Sequence, residues 1–538
     1  MRRRITALIL AGLLLNSCGI FLQSTGLKNY KLKSKIEHEN LNDYQYDFIY
    51  LTKLLETGFP LLDSIFPENR RDSLKIVILK YLSRKNISKE YFFIQTSKYI
   101  SNVHNQHTLA YPDKLVFENK YPFRLFFSLN NWYLSDVSKL QDSSLIGKKI
   151  LKINNIDIKE IEKKLLQFAF AENVITQQKL IQSLQMFNTP EYLKEIGVIK
   201  NLTDTLNLAF DGVSMEIIPA KAKEQNLYNK IIPSFEITKR QNKTYLYNTY
   251  PDQNFAYLQF NSCHDKIDIL DGIQTYVKPW LQPVAKAFVK RQFKKEKPSP
   301  LLANSYNKEH PIFRDFMWKL IDSLNNAGIS NLIIDVRNNP GGNLILGKQM
   351  LFFLTDKTQI KGFTEYAYIS DIFKSYFTET YENIEKENNG VLENGKMVPI
   401  SQDNNAFSDI LDSTSKYHIG VNRPVFKGNV YFLSNYNTGS AAALLVTLAQ
   451  DNGIGTVIGT SVGNNPTGAF SWAQFYLPET KTKAIMATSY NERPDTSKGI
   501  EQIPDYWIEY SIQDYLTGKD PYFEKAIELI IKNKTSRQ

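Results

Sequence analysis

The stretch Val430 to Gly459, VYFLSNYNTGSAAALLVTLAQDNGIGTVIG, constrains this chain more than any other part of it. Four β-prone residues, Val430 to Leu433, meet a polar Ser-Asn-Tyr-Asn-Thr-Gly break. An apolar run from Ser440 to Ala449 follows, and then Thr456, Val457 and Ile458 closed by Gly459. That pattern predicts strand, turn, helix, strand. Ser440 falls at the helix N-terminus, where backbone N–H groups lack intrahelical partners and the dipole is positive. Two roles fit a serine there. It is an N-cap, the commoner use, or a nucleophile whose neighbouring amides stabilise an oxyanion. This stretch alone leaves both open.

With 538 residues, the chain is too long for a single ordinary core, so two to four domains are expected. Hydrophobic residues at 42% and charged residues at 22% describe a globular body, and beyond the N-terminus no apolar run approaches a membrane span. The N-terminus differs. Arg2, Arg3 and Arg4 precede the apolar run Ala7 to Leu15, and Leu15-Asn16-Ser17-Cys18 follows, which is the layout of a signal peptide over residues 1–17. The tetrad also resembles a bacterial lipobox, which implies lipidation of Cys18 and a lipid-anchored, periplasmic or outer-membrane protein of the cell envelope. Cys263 would then be the one thiol outside the anchor, and no intramolecular disulfide would form. Without the three signal arginines, the formal charge of +10 becomes +7, spread among Lys-rich segments. We read it as a solvated surface with no nucleic-acid partner.

Residues 18–42 read as a polar tether. From Asp43 to Val103 the pattern is helical: Phe48, Leu51, Leu54 and Leu55 share a face, as do Leu74, Ile78 and Leu82. This helical region, residues 43–120, ends in the polar turn Asn102 to Pro112, which carries His104 and His107. A loop histidine is most simply a surface residue. Two histidines three apart lack the Cys, Asp or Glu that would complete a ligand set, so no metal is implied.

Residues 121–225 change to a mixed pattern. Leu145 to Ile158 alternates apolar and polar residues and predicts a helix from Ile161 to Phe170. This segment resembles the central strand, tight turn and helix of a PDZ domain, a module that adds an extended peptide to its sheet edge. A third domain, 226–530, opens with a strand at Asn254 to Cys263. Insertions are expected near 283–310, which is rich in Lys and Pro, and over 358–422, whose composition suits a lid or a solvated loop. A helix from Phe313 to Asn326 leads into Asn331-Leu332-Ile333-Ile334-Asp335-Val336-Arg337-Asn338-Asn339-Pro340-Gly341-Gly342-Asn343. Helix, apolar strand, Gly-rich turn and helix form a β/α crossover, which requires a parallel or mixed sheet covered by helices. Open α/β sheets bind ligands at such a turn. The spacing is not that of a phosphate loop.

The two stretches together, Leu332 to Gly342 and Thr438-Gly439-Ser440-Ala441-Ala442-Ala443 with Asp451-Asn452-Gly453 and Val457-Ile458-Gly459, resemble the core of the C-terminal processing, or tail-specific, serine peptidases. The resemblance extends over most of residues 43–530, and includes His107-Thr108 and the endings Gly499 to Asp505 and Asp514 to Asp520. It implies Ser440 as nucleophile, with the amides of Ala441 and of Gly341 or Gly342 as oxyanion hole. The Ser-Lys members carry a lysine about 25 residues after the serine; here Asn465 stands there, and no lysine occurs between Ser440 and Lys481. The chain is more similar to the Ser-His branch, which includes the tricorn core protease and related bacterial lipoproteins, and His107 matches its base. By position, the third, orienting acid would be Glu492, with Asp495 as runner-up. Alternatively, Glu492 pairs with Arg493 or a nearby lysine. Asp335 and Arg337 are expected to fix the turn that bears Gly341. Two departures stand out: Ala443-Leu444 where the branch has an acid, and Asn105-Gln106 where it has Asp-Gly.

The sequence thus predicts an α/β protein of mixed α+β multidomain type: a helical N-terminal region, a PDZ-like domain and an α/β catalytic domain. The expected activity is a serine endopeptidase acting on extended polypeptides without cofactor or metal. The alternative is an inactive lipoprotein that binds peptides or apolar ligands in the same cleft.

Overall fold

The computed structural model describes residues 28–34, 36–38, 40–112, 117–228, 237–239, 243–294, 312–400 and 404–535. The signal peptide, Cys18 and the first part of the tether lie outside them. The fold is mixed α+β, and its order explains the site. The helices Asp43–Gly58, Glu68–Leu82 and Lys89–Ile100 come first, then a small α+β unit, then a domain built on a six-stranded sheet.

That sheet runs Tyr245–Tyr250, Phe255–Phe260, Asn331–Asp335, Asn429–Ser434, Thr456–Gly459 and Tyr506–Trp507. The first pair is antiparallel and every other pair parallel. Its inner strands are apolar on both faces because helices cover both. Leu258, Leu332, Ile334, Phe432 and Val457 pack with the helices Phe313–Asn326, Leu344–Leu354 and Ala441–Asp451. Their alternate neighbours Tyr257, Ile333, Tyr431, Leu433 and Ile458 meet the helix Pro521–Thr535. Period-2 alternation thus sorts one strand's side chains between two helical layers. The helix after Ser440 is buried from Ala441 to Ala449, which is why its sequence is apolar all round.

A second, antiparallel sheet centres on Lys483–Glu492, which pairs with Gly468–Tyr476, Leu109–Tyr111 and Thr364–Tyr368. The helical region is not a separate body. Phe48, Leu51, Phe92 and Tyr99 share one core with Ala473, Phe475, Met486 and Ala487 of this sheet. Burial of that shared surface carries the turn bearing His107 to the C-terminal domain.

Two expectations need correction. Residues 28–34, 36–38 and 40–42 are not a free tether: Tyr30 and Ile36 are buried, Lys28 N–H donates to Tyr276 O at 2.8 Å, and Tyr476 N–H donates to Asn29 Oδ1 at 2.9 Å. Two apolar side chains and a run of backbone partners outweigh the polar composition that suggests a spacer. The segment 358–422 is more than a solvated loop. It supplies the strands Thr364–Tyr368 and Met397–Pro399 and the helices Asp371–Tyr376 and Thr378–Glu387, which cluster through Ala367, Ile369, Phe373 and Ile384. The other insertion starts as a helix, Gln282–Lys294, folded on Lys266–Tyr276 through Ile273, Val277, Leu281 and Ala285.

Residues 117–228 have their own core around Trp132, Ile150, Ile161 and Phe187. They form the hairpin Phe123–Ser128 and Asn131–Val137, and a four-stranded sheet of Ile156–Asp157, Lys152–Ile153, Leu206–Ala209 and Ser214–Ile217. Asn154 and Asn155, at φ 49° and 65°, make the tight turn there. The helix expected from Ile161 spans Ile158–Leu165 instead, because the Asp157 side chain caps it by accepting from Lys159 N.

Candidate active site

The parallel strands end at Phe260, Asp335, Ser434 and Gly459, and the loops that follow them converge. Thr438 Oγ1 donates to Val336 O at 3.0 Å and Gly439 N to Asn339 O at 2.9 Å, which ties the serine loop to the Gly-rich turn. Asn339, fully buried, is the hub: its Nδ2 donates to Phe260 O and its Oδ1 accepts from Gly341 N, both at 2.9 Å. Below this turn Arg337 makes a double ion pair, with Asp335 at 2.6 Å and Asp520 at 2.7 Å, and Tyr257 Oη donates to Asp335. Arg337 and Asp335 thus brace the turn from the sheet side, as their expected fixing role requires.

Ser440 makes no side-chain N-cap. It stands at φ 48° and ψ −125°, a backbone region that costs a non-glycine residue about 1–3 kcal/mol. The conformation is held by Asn464, whose Oδ1 accepts the Ser440 N–H, and it frees the hydroxyl. Oγ instead lies 3.1 Å from His107 Nε2, 333 residues away in sequence. In the tautomer with its proton on Nδ1, the imidazole accepts the Ser440 hydroxyl proton.

His107 reaches this place because its turn is clamped on several sides. Asn105 Nδ2 donates to Ala469 O at 2.9 Å, Gln106 Nε2 donates to Gly463 O, and Ala487 N donates to Thr108 Oγ1 at 3.1 Å. The ring packs against Phe470 at 5.2 Å between centroids. It is 8% exposed, and burial lowers its pKa from 6.5 to about 4, so it is neutral at physiological pH and competent as a base.

Gly341 abuts the serine: a Cβ there would sit 2.6 Å from Ser440 Cβ and 2.9 Å from Ala441 N. Its amide, however, is engaged by Asn339. Of the oxyanion candidates, Ala441 and Gly342 keep amides with no acceptor among the described residues, so Gly342 is the better partner of the two glycines.

Glu492 is not brought to His107. Phe470, which packs on the imidazole, lies opposite Ser489 in the ladder, so strand alternation turns Glu492 to the other face. There it accepts from Tyr366 Oη at 3.2 Å. It does not pair with Arg493 either, whose guanidinium forks onto Asp451 at 2.7 and 3.1 Å in a fully buried pair. Asp495 accepts from Ser497 and lies 3.9 Å from Lys498. His107 Nδ1 is buried without a partner. Sequence reasoning missed Asn464, Gln106 and Asn339; the first two flank the recognised positions Asn465 and His107, but an amide near a motif carries no local signal of what it will bond. Among the described residues no group of three or more His, Cys, Asp or Glu could hold a metal ion, and no helix is long and apolar enough to cross a membrane.

Known proteins resemble the chain at two levels. No curated protein matches it. Among solved structures, mature CPAF has a TM-score of 0.54 at 13% identity, covering 91% of this chain and 96% of that one. A CPAF mutant gives 0.56 at 13% identity, over 91% and 97%. At such identity the likeness is one of fold. Residues 305–502, which include Ser440, Ala441, Gly341 and Gly342, match the model of peptidase family S41, and this match supports a serine peptidase.

Proposed function

We propose that this protein is an endopeptidase for extended or unfolded polypeptides, with Ser440 as nucleophile and His107 as general base. The observation that carries this reading is the 3.1 Å approach of His107 Nε2 to Ser440 Oγ at the carboxyl edge of the sheet. His107 takes the Ser440 proton as Oγ attacks the peptide carbonyl carbon. The carbonyl oxygen becomes an oxyanion held by the amides of Ala441 and Gly342. The protonated imidazole gives its proton to the leaving amine, and water, activated by the same imidazole, hydrolyses the acyl-enzyme. The chain is anchored at the cell envelope through a lipid on Cys18. Residues 121–225 act as a PDZ-like clamp for the substrate; a cavity of about 250 Å³ between Leu125 of the hairpin and Ile181 of the helix Val174–Ser183 supports that role.

The test is degradation of casein by wild type, Ser440→Ala and His107→Ala. Wild-type cleavage with at least about 10³-fold loss in both folded variants is expected. Absence of wild-type cleavage across pH and substrates would favour a binding lipoprotein, in which Ser440→Ala leaves ligand affinity intact.

A further inference from the structure

Glu172, in the loop between the helices Ile158–Leu165 and Val174–Ser183, has no part in the mechanism above, yet its carboxyl group is enclosed beside the His107 turn. Oε1 accepts from Asn105 Nδ2 at 3.2 Å and from Gln106 N at 3.3 Å. Oε2 is buried and has no partner. One residue further along the same turn, His107 Nδ1 is also buried and without a partner. A buried acceptor and a buried N–H that both go unpaired are each destabilising, and a donor and an acceptor of this kind satisfy one another once they meet. The Glu172 loop is fixed relative to the site, because its neighbour Asn173 donates to Val462 O at 3.1 Å, two residues from the Asn464 that holds Ser440.

We propose that Glu172 is the positioning acid of His107. It holds the 105–107 turn so that Nε2 meets Ser440, and its free Oε2 accepts from Nδ1–H when the imidazole takes up the serine proton. The inference rests on the Ser440 and His107 reading. It assigns to the small α+β unit the role that position in the sequence had given to Glu492. Burial raises the Glu172 carboxyl from 4.5 to about 8, opposed by its own backbone N–H and by Gln106, so its ionised form grows in as pH passes 8. The other titratable groups around this pocket are His107 itself, His104 beside Ala171 and Gln177, and Arg70 acting on His104.

The experiment compares Glu172→Gln, Glu172→Asp and Glu492→Gln with wild type, Ser440→Ala and His107→Ala, reading kcat, KM, Tm and the pH profile of kcat on one peptide substrate. Glu172→Gln is expected to keep KM and lose about 10²-fold in kcat, and to lose the rise in kcat through about pH 8. Glu172→Asp recovers part of kcat, and Glu492→Gln stays within about threefold of wild type. A Glu172→Gln with wild-type kcat and pH profile overturns the inference while inactive Ser440→Ala and His107→Ala leave the peptidase reading standing. Full activity in those two variants removes that reading instead, and this inference with it. Should Glu172→Gln fail to fold, the pH profile of Glu172→Asp decides: a displaced rise supports the role, an unmoved one overturns it.

Discussion

The His107 imidazole lies 3.1 Å from Ser440 Oγ across 333 residues of chain. The contact exists because a helical region that starts the fold shares its core with the last antiparallel sheet. Burial keeps the ring neutral, with a pKa of about 4. The limb of the pH–rate profile that His107 contributes is therefore expected well below the ordinary histidine value of 6.5, apart from the rise near pH 8 assigned to Glu172, and a pH–rate profile resolves the two.

The same burial links stability to pH. The folded pKa of His107 lies below the unfolded one, so the unfolded chain takes up the proton first. Stability from this group is complete above pH 6.5 and is lost as pH falls towards about 4. Urea titrations between these limits should show a slope that His107→Ala flattens.

Gly341 stands at φ 105°, a conformation that side chains rarely adopt, and a Cβ there would meet Ser440 Cβ, Gly439 O and Ala441 N at 2.6, 2.8 and 2.9 Å. Two of these three are backbone atoms, so the serine loop must shift. Gly341→Ala is expected to lower kcat by at least about 10²-fold, since misplacement of about 1 Å is enough for that. Steady-state kinetics on the folded variant test it.

Asp451 ends the helix that Ser440 begins, and its fully buried pair with Arg493 fastens that helix to the loop after the strand Lys483–Glu492. Removing one member leaves an uncompensated buried charge. Asp451→Ala is expected to lose about 3–5 kcal/mol in urea denaturation.

The described residues between 28 and 42 behave as a strap. A chain starting at residue 43 loses the buried Tyr30 and Ile36 side chains and the bonds at Lys28 and Asn29. It is expected to melt several degrees below a chain starting at residue 28, because each buried apolar side chain contributes about 1.5–3 kcal/mol. Scanning calorimetry of the two chains provides the comparison.

Much of the fold was legible because it is written in local period. The helix Phe313–Asn326 and the strand Asn331–Asp335 lie where the apolar spacing puts them, and the Ser440 turn follows a strand and precedes a helix as its residues require. The inserted sheet strands Thr364–Tyr368 and Met397–Pro399 were not legible, since short, half-exposed strands in a polar region have little alternation to read.

The sequence by itself determined the βα units and the two stretches Leu332 to Gly342 and Thr438 to Ala443, because each depends on neighbours within a few residues. Only the tertiary structure decided which carboxylate meets the turn that bears the histidine. Position in the sequence singled out Glu492 and gave no sign of Glu172. Strand alternation turns the first away towards Tyr366, while the packing of the small α+β unit encloses the second against Asn105 and Gln106. Such a choice rests on long-range packing and on which face of a sheet is covered, and no local pattern encodes either.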